Sequence, residues 1–179
     1  MPELTLRLMQ PADAPAVAAL HAANWSSVYR GILSDAFLDG PVHEDRAQVW
    51  DERLHRAHAD ANFGIVAESD GVLAGFVYVM GNADPRYGTL IDNLHVDPSQ
   101  RSSGIGPRLL DAAAHGIVSH RFDLGVHLWV FAANLRARAF YARMGGVEVE
   151  RIEKATAEGV LAMECRVAWG DAGSLMLSR

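Results

Sequence analysis

A chain of 179 residues, half of them hydrophobic with a mean hydropathy of +0.03, has the length of about one domain and can bury a full core. Sixteen Lys and Arg against 22 Asp and Glu leave a net charge of −6, which argues against bulk electrostatic attraction to nucleic acid or to an anionic membrane. A single cysteine, Cys165, excludes an intramolecular disulfide and any zinc site built on two thiolates of this chain. The first ten residues lack the basic-then-apolar order of a signal peptide, and no apolar run reaches the ~18 residues of a membrane span, so the expectation is a soluble protein of the cytoplasm.

Leu4 to Leu8 alternates apolar and polar residues and reads as a strand. Pro11-Ala12-Asp13 offers a helix start, with Val17 and Leu20 on one face of an Ala-rich helix to about Asn24. Gly31 and Gly40-Pro41 punctuate the stretch before a second, charged helix, Val42 to His58, with Val49, Trp50 and Leu54 as its apolar stripe. Phe63 to Ala67, Val72 to Met80 and Thr89 to Val96 predict three strands in an antiparallel meander, with turns at Ser69-Asp70-Gly71 and from Asn82 to Pro85. Beyond Gly104-Ile105-Gly106, the residues Leu109, Leu110, Ala113, Ala114, Ile117 and Val118 recur at the helical period. Val126 to Phe131 is a strand, and Asn134 caps a helix to about Met144 that Gly145-Gly146 stops. Val147 to Ile152 and Val160 to Val167 close a mixed α/β domain over residues 1–170, leaving 171–179 as a loose tail.

The loop Arg101-Ser102-Ser103-Gly104-Ile105-Gly106 lies between a strand and a strong helix. The first turn of a helix presents unpaired N–H groups and a partial positive charge, and glycine lets a ligand come close, so this is an anion cradle suited to phosphates. Arg101 and Arg108 add charge, and Pro98 to Leu110 contains two Arg and no acid. A third glycine of a dinucleotide fingerprint and the Gly-Lys-Ser/Thr of a P-loop are both missing.

The run from Leu94 to Leu110 resembles motif A of the GNAT superfamily of acyl-CoA N-acyltransferases, in which an Arg/Gln-x-x-Gly-x-Gly/Ala loop binds the coenzyme A pyrophosphate. Leu128-Trp129-Val130 followed by Asn134-x-x-Ala137-x-x-Phe140-Tyr141-x-x-x-Gly145 resembles motif B of the same family. His21 to Asp39, with Trp25, Tyr29 and Phe37, is similar to one GNAT subgroup with broad small-molecule annotation. The resemblance covers the whole chain and implies one mostly antiparallel sheet of about seven strands flanked by helices. It implies an acetyl-CoA-dependent N-acetyltransferase acting on a small amine, a polyamine or a peptide amino group, without nucleic acid or membrane as partner, and compatible with a homodimer.

The same resemblance implies roles residue by residue. A bulge in the strand ending at Val96 would aim backbone N–H groups of Leu94 and Val96 at the thioester carbonyl, where such donors stabilise an oxyanion. Arg101, Ser103, Gly104 and Gly106 would hold the pyrophosphate with Arg108 nearby, and Asn134 would touch the pantetheine arm as well as cap its helix. Tyr141 matches the general acid that protonates the departing thiolate, against the plainer reading of a core aromatic beside Phe140. No motif fixes the base. Asp92, placed by alternation on the face of Leu94 and Val96, is the candidate, with His95 opposite and His21 and His127 more distant alternatives. Pro107 removes one possible phosphate donor, and Gly146 stands where the family usually carries an aromatic, which puts the packing of the next strand in question. Cys165 reads as a buried apolar residue, so direct transfer in a ternary complex is preferred to a Cys-acyl route.

Trp25 and Tyr29 are candidate acceptor-binding residues. Met1 to Ala61 holds nine acids against five basic residues, so an acidic cover drawing in a cationic amine is expected. His55 and His58 have no third ligand at a metal-binding spacing and read as a solvated helix face. Two further readings stand beside the enzyme: an acyl-CoA-binding module without turnover, and a nucleotide-phosphate binder.

Overall fold

The computed structural model describes residues 3–56 and 61–177 of the chain, with the Arg56 side chain left aside. In chain order the elements are β1 (Leu4–Leu8), α1 (Ala14–Val28), α2 (Asp35–Leu38), α3 (Pro41–Asp51) with a π-helical extension Glu52–Arg56, β2 (Asn62–Ser69), β3 (Val72–Asp84) and β4 (Gly88–Val96). Then follow α4 (Ile105–Ser119), β5 (Val126–Phe131), α5 (Leu135–Arg143), β6 (Val147–Ala155) and β7 (Leu161–Trp169). The strands form one seven-stranded sheet in the order β1-β2-β3-β4-β5-β7-β6. Every neighbouring pair is antiparallel except β4 and β5, which run parallel. This is the expected mixed α/β architecture, and β2-β3-β4 is the expected meander.

Two apolar clusters cover the two faces. On one, α4 buries Ile105, Leu109, Leu110, Ala113, Ala114 and Ile117, a stripe at helical spacing, against Ile91, Val126, Leu128 and Val130 of the sheet, with Tyr141 of α5 in the same cluster. Full burial of each large aliphatic side chain in that stripe contributes roughly 2 kcal/mol. On the other, Val17 and Leu20 of α1 and Trp50 of α3 pack on Val66, Phe76 and Tyr78.

Several boundaries differ from the sequence expectation. Helix α1 continues past Asn24 to Val28, because Ser26 and Ser27 turn their hydroxyls onto the carbonyls of Leu38 (2.7 Å) and Asn24 (3.3 Å) instead of interrupting the helix. Strand β3 runs on to Asp84, whose carboxylate accepts from the N–H groups of Arg86 and Tyr87 (both 2.8 Å) and so sets the turn at residues 85–87 rather than from Asn82 to Pro85. The charged helix is regular only to Asp51, and His58 lies outside the described residues. Up to Leu177, the segment after β7 packs on the domain instead of forming a loose tail. Residues Ala172–Leu175 form a 3-10 turn, Leu175 is buried in the α4 cluster, and the N–H of Leu177 donates to Asp111 of α4 (2.8 Å).

Gly146 does not weaken the packing of β6. A Cβ there would lie 2.5 Å from Val167 Cγ1 and 2.7 Å from the Trp169 ring, so residues of β7 fill the place of an aromatic. Trp169 is buried and its indole N–H donates to the Met144 carbonyl (2.9 Å).

Candidate active site

The site begins with a fault in the sheet. Parallel pairing of β4 and β5 consists of two rungs, Thr89 with Val126 and Leu90 with His127. Beyond them the strands part, and a cleft of about 870 Å³ opens between Leu90–Val96 and Leu128–Phe131. The register of β4 against β3 also shifts: Tyr78 faces Asn93 while Val79 faces Ile91, which leaves Asp92 as the extra residue of a β-bulge. The expected bulge is therefore present, at Asp92.

That bulge corrects the placement of Asp92. Ile91, Leu94 and Val96 pack toward α4, whereas Asp92 pairs with Arg53 (2.7 Å) and Asn93 accepts from the same guanidinium (2.7 Å), on the α1–α3 side. Simple alternation fails because one residue is inserted between them. Asp92 thus borders the cleft from the face opposite Leu94 and Val96. The N–H of Asp97 donates to the Ala74 carbonyl (2.8 Å), so by alternation the peptide groups of His95 point at β3 and those of Leu94 and Val96 point into the opening. The Val96 carbonyl there accepts from the Asn24 side-chain amide (3.2 Å).

On the α4–α5 side the cleft ends in the loop before α4. Ser102 (φ 68°) and Gly104 (φ 84°) are both left-handed, which curls the chain around a concave row of N–H groups. The first internal bond of α4 runs from Arg108 N–H to the Gly104 carbonyl (3.3 Å), so the N–H groups of Ile105 and Gly106 have no partner within the helix, and Pro107 has none to offer. Gly104 and Gly106 line the cleft. Arg101 also lines it, donating to Asn24 Oδ1 (2.8 Å). Burial, and then the positive charge of Arg136, hold the Arg101 guanidinium below its ordinary range, a strain that an anion between the two would relieve. Ser103 and Arg108 do not belong to the cleft lining. Both are exposed, and the Ser103 hydroxyl turns back onto the Gln100 carbonyl (2.5 Å). Asn134 caps α5, accepting from the Ala137 N–H (3.2 Å), and borders the cleft.

Tyr141 is buried in the cleft wall between Phe140 and Trp169, with ring centroids 5.2 and 6.3 Å away. Burial, and secondarily the neighbouring Tyr29, push its phenol well above the ordinary range; burial and Glu164 push Tyr29 up to about 12. Both phenols are therefore protonated at neutral pH. On the α1–α3 side, His21, Trp25 and Tyr29 follow at i, i+4 and i+8 along α1, one helix face. Trp25 and Tyr29 line the cleft; Phe37 does not. His21 Nδ1 accepts from the Trp50 indole (2.9 Å), which places its proton on Nε2, a buried atom with no hydrogen-bond partner among the described residues. Its ring lies 4.4 Å from that of His95. Burial, then the cations Arg46 and Arg101, push His95 down to about 3, so both imidazoles are neutral at physiological pH.

The expected acidic cover is absent from the cleft. Among the described residues, no acid of the first 56 lines it: Asp13 pairs with Arg7, Asp35 and Asp39 with Arg30, and Asp45 with Arg46. Its lining is instead rich in cations, among them Arg46 and Arg53 of the α3 segment, which sequence reasoning missed although Arg46, Trp50 and Arg53 share one helical face at i, i+4 and i+7. His127 sits in β5 with both ring nitrogens buried and does not border the cleft. Cys165 is buried in β7, also away from it. Among the described residues no group of His, Cys, Asp and Glu could hold a metal ion, and no helix is long and apolar enough to cross a membrane.

A sequence model described as the acetyltransferase (GNAT) family matches residues 25–146. The chain belongs to the GNAT acetyltransferase family. It is 30% identical over 142 residues to a probable N-acetyltransferase of Mycobacterium tuberculosis, covering 78% of each chain. Its fold is that of a GCN5-related N-acetyltransferase from Rhodopseudomonas palustris (TM-score 0.72, 22% identity, 93% of this chain and 94% of the other). It is also that of the PaiA N-acetyltransferase of Thermoplasma acidophilum, solved with coenzyme A (TM-score 0.71, 20% identity, 90% of this chain and 98% of the other). For a member of this family the parted strands, the cradle before α4 and the buried Tyr141 fall in one continuous cleft.

Proposed function

We propose that the protein transfers the acetyl group of acetyl-CoA to a primary amine by direct attack in a ternary complex. The observation that carries this reading is the joining, in one cleft, of the anion cradle at the start of α4, the free peptide edge of β4 and the Tyr141 phenol. Acetyl-CoA supplies a thioester, and transfer breaks its C–S bond, forms an amide C–N bond and leaves a free thiol.

The residues fit that co-substrate. N–H groups of Ile105 and Gly106, with Arg101 and Arg136, receive the pyrophosphate. Asn134 orients the pantetheine arm. The N–H groups of Leu94 and Val96 face the carbonyl whose oxygen gains charge. Tyr141 holds a proton through neutral pH and gives it to the departing sulfur. A phenol of pKa ~10 against a thiol of ~8.5 makes this uphill, more so when buried, so the proton moves as the C–S bond breaks. The acceptor comes from the α1–α3 side past Trp25 and Tyr29. Asp92 borders that side and takes the ammonium proton, with Arg53 as its counter-charge.

Thiol release from acetyl-CoA over a panel of amines tests the proposal. Turnover with at least one amine is expected. Acetyl-CoA binding without thiol release for any of them, together with no effect of Tyr141→Phe, would instead establish a binding module. Asp92→Asn is expected to lower kcat/KM at least tenfold with the KM for acetyl-CoA within threefold of wild type; an unchanged kcat/KM removes Asp92 from the role of base.

A further inference from the structure

The charges on the acceptor side of the cleft are nearly all spoken for. Asp92 is paired with Arg53 (2.7 Å) and Glu164 with Lys154 (3.0 Å). Arg46 is the exception. Its Nε and Nη2 share one oxygen of the adjacent Asp45 (2.8 and 2.5 Å), an acid that does not line the cleft, and Nη1 has no partner among the described residues. The side chain is only 12% exposed, and its guanidinium carbon sits over the Trp25 ring, 4.2 Å from the centroid. A cation stacked on a cleft aromatic, with a free N–H edge and no acid beside it in the lining, is a built receptor for a carboxylate. Its field reaches His21, His95 and Tyr29, each of which it disfavours as a cation or favours as an anion.

We propose that the acceptor amine carries a carboxylate and that Arg46 binds it, so that the substrate class is a small amino acid. This rests on the acetyl-transfer reading and narrows it. Trp25, beneath Arg46, lies 5.4 Å from the Tyr29 ring between centroids, and Tyr29 and Tyr141 line the same cleft. An acceptor with its carboxylate at Arg46 and its nitrogen toward Tyr141 therefore spans Tyr29, which suits a short molecule with the two groups close together. A polyamine finds the opposite of what it needs here: two acids already paired, and a guanidinium with no acid beside it in the lining.

The test compares each amino acid with its own amide, which keeps the amine and removes the negative charge. Wild-type protein is expected to turn over the acid at least ten times better than the amide, as kcat/KM for thiol release. In Arg46→Gln that ratio falls to within about twofold of one, while the KM for acetyl-CoA changes less than threefold. The ratio is taken within each protein, so partial loss of folded variant cancels, and the wild-type preference needs no variant. Amides or polyamines that react as well as the acids, or a preference that survives Arg46→Gln, overturn the inference and leave acetyl transfer standing. Failure of every amine to release thiol overturns both.

Discussion

At the scale of single residues, the cleft is governed by groups whose protons burial has fixed in place. Tyr141 is the clearest, a phenol kept neutral by desolvation at the point where a thiolate would depart. Tyr141→Phe is expected to lower kcat about 100-fold with the KM for acetyl-CoA within threefold of wild type; a change confined to KM would make Tyr141 a packing residue. Asn24 is a second such point, because its one amide group holds both the Val96 carbonyl and Arg101. Asn24→Ala leaves both without that partner and is expected to raise the acetyl-CoA KM and cost about 1–2 kcal/mol in urea unfolding. Nothing local in the sequence marks Asn24, since its partners are 72 and 77 residues away. Arg46 was hidden differently: its helix is legible from the apolar stripe Val49, Trp50 and Leu54, to which a charged residue does not add, and its place over Trp25 depends on how α1 and α3 meet.

At the scale of elements, most of the fold was legible because hydrophobic period and turn chemistry agree. The stripe of α4, the Asn134 cap and the β2–β4 meander each combine a pattern with a punctuation residue. What pattern cannot report is an insertion within a strand. The bulge at Asp92 puts two successive polar residues on one face, so an alternation argument through it reverses side. Asn134→Ala is expected to cost about 1 kcal/mol and Asn134→Ser much less, measured by urea midpoint; equal losses would mean that the side chain does more than cap. Gly146→Phe is expected to destabilise more severely than either, because its Cβ meets Val167 and Trp169 inside van der Waals contact.

For the whole molecule, three neutral histidines, His21 and His127 buried and His95 half-buried, set the response to acid. His21 is held well below its ordinary value, His95 down to about 3 and His127 down to about 4, in each case chiefly by burial. Below about pH 6.5 the unfolded chain takes up protons on these rings while the folded chain does not, so stability falls as pH falls. The loss continues until His127 titrates near 4 and His95 near 3. The urea midpoint is expected to be flat above pH 7 and to drop from about 6.5 downward, before the carboxylates titrate. His127→Gln should remove roughly one kcal/mol per pH unit from that slope between 6.5 and 4. A midpoint flat to pH 5 would mean that the rings are already charged in the folded state.

The two-rung junction of β4 and β5 also makes the sheet unequal in time. Interior strands ordinarily protect their amide hydrogens from exchange with water for as long as the protein stays folded. The Leu94 and Val96 amides sit mid-sheet, yet they face an opening where no strand follows. In deuterated solvent they should exchange with the speed of loop amides while those of His95 and Phe76 remain slow, and saturating acetyl-CoA should bring the two sets together.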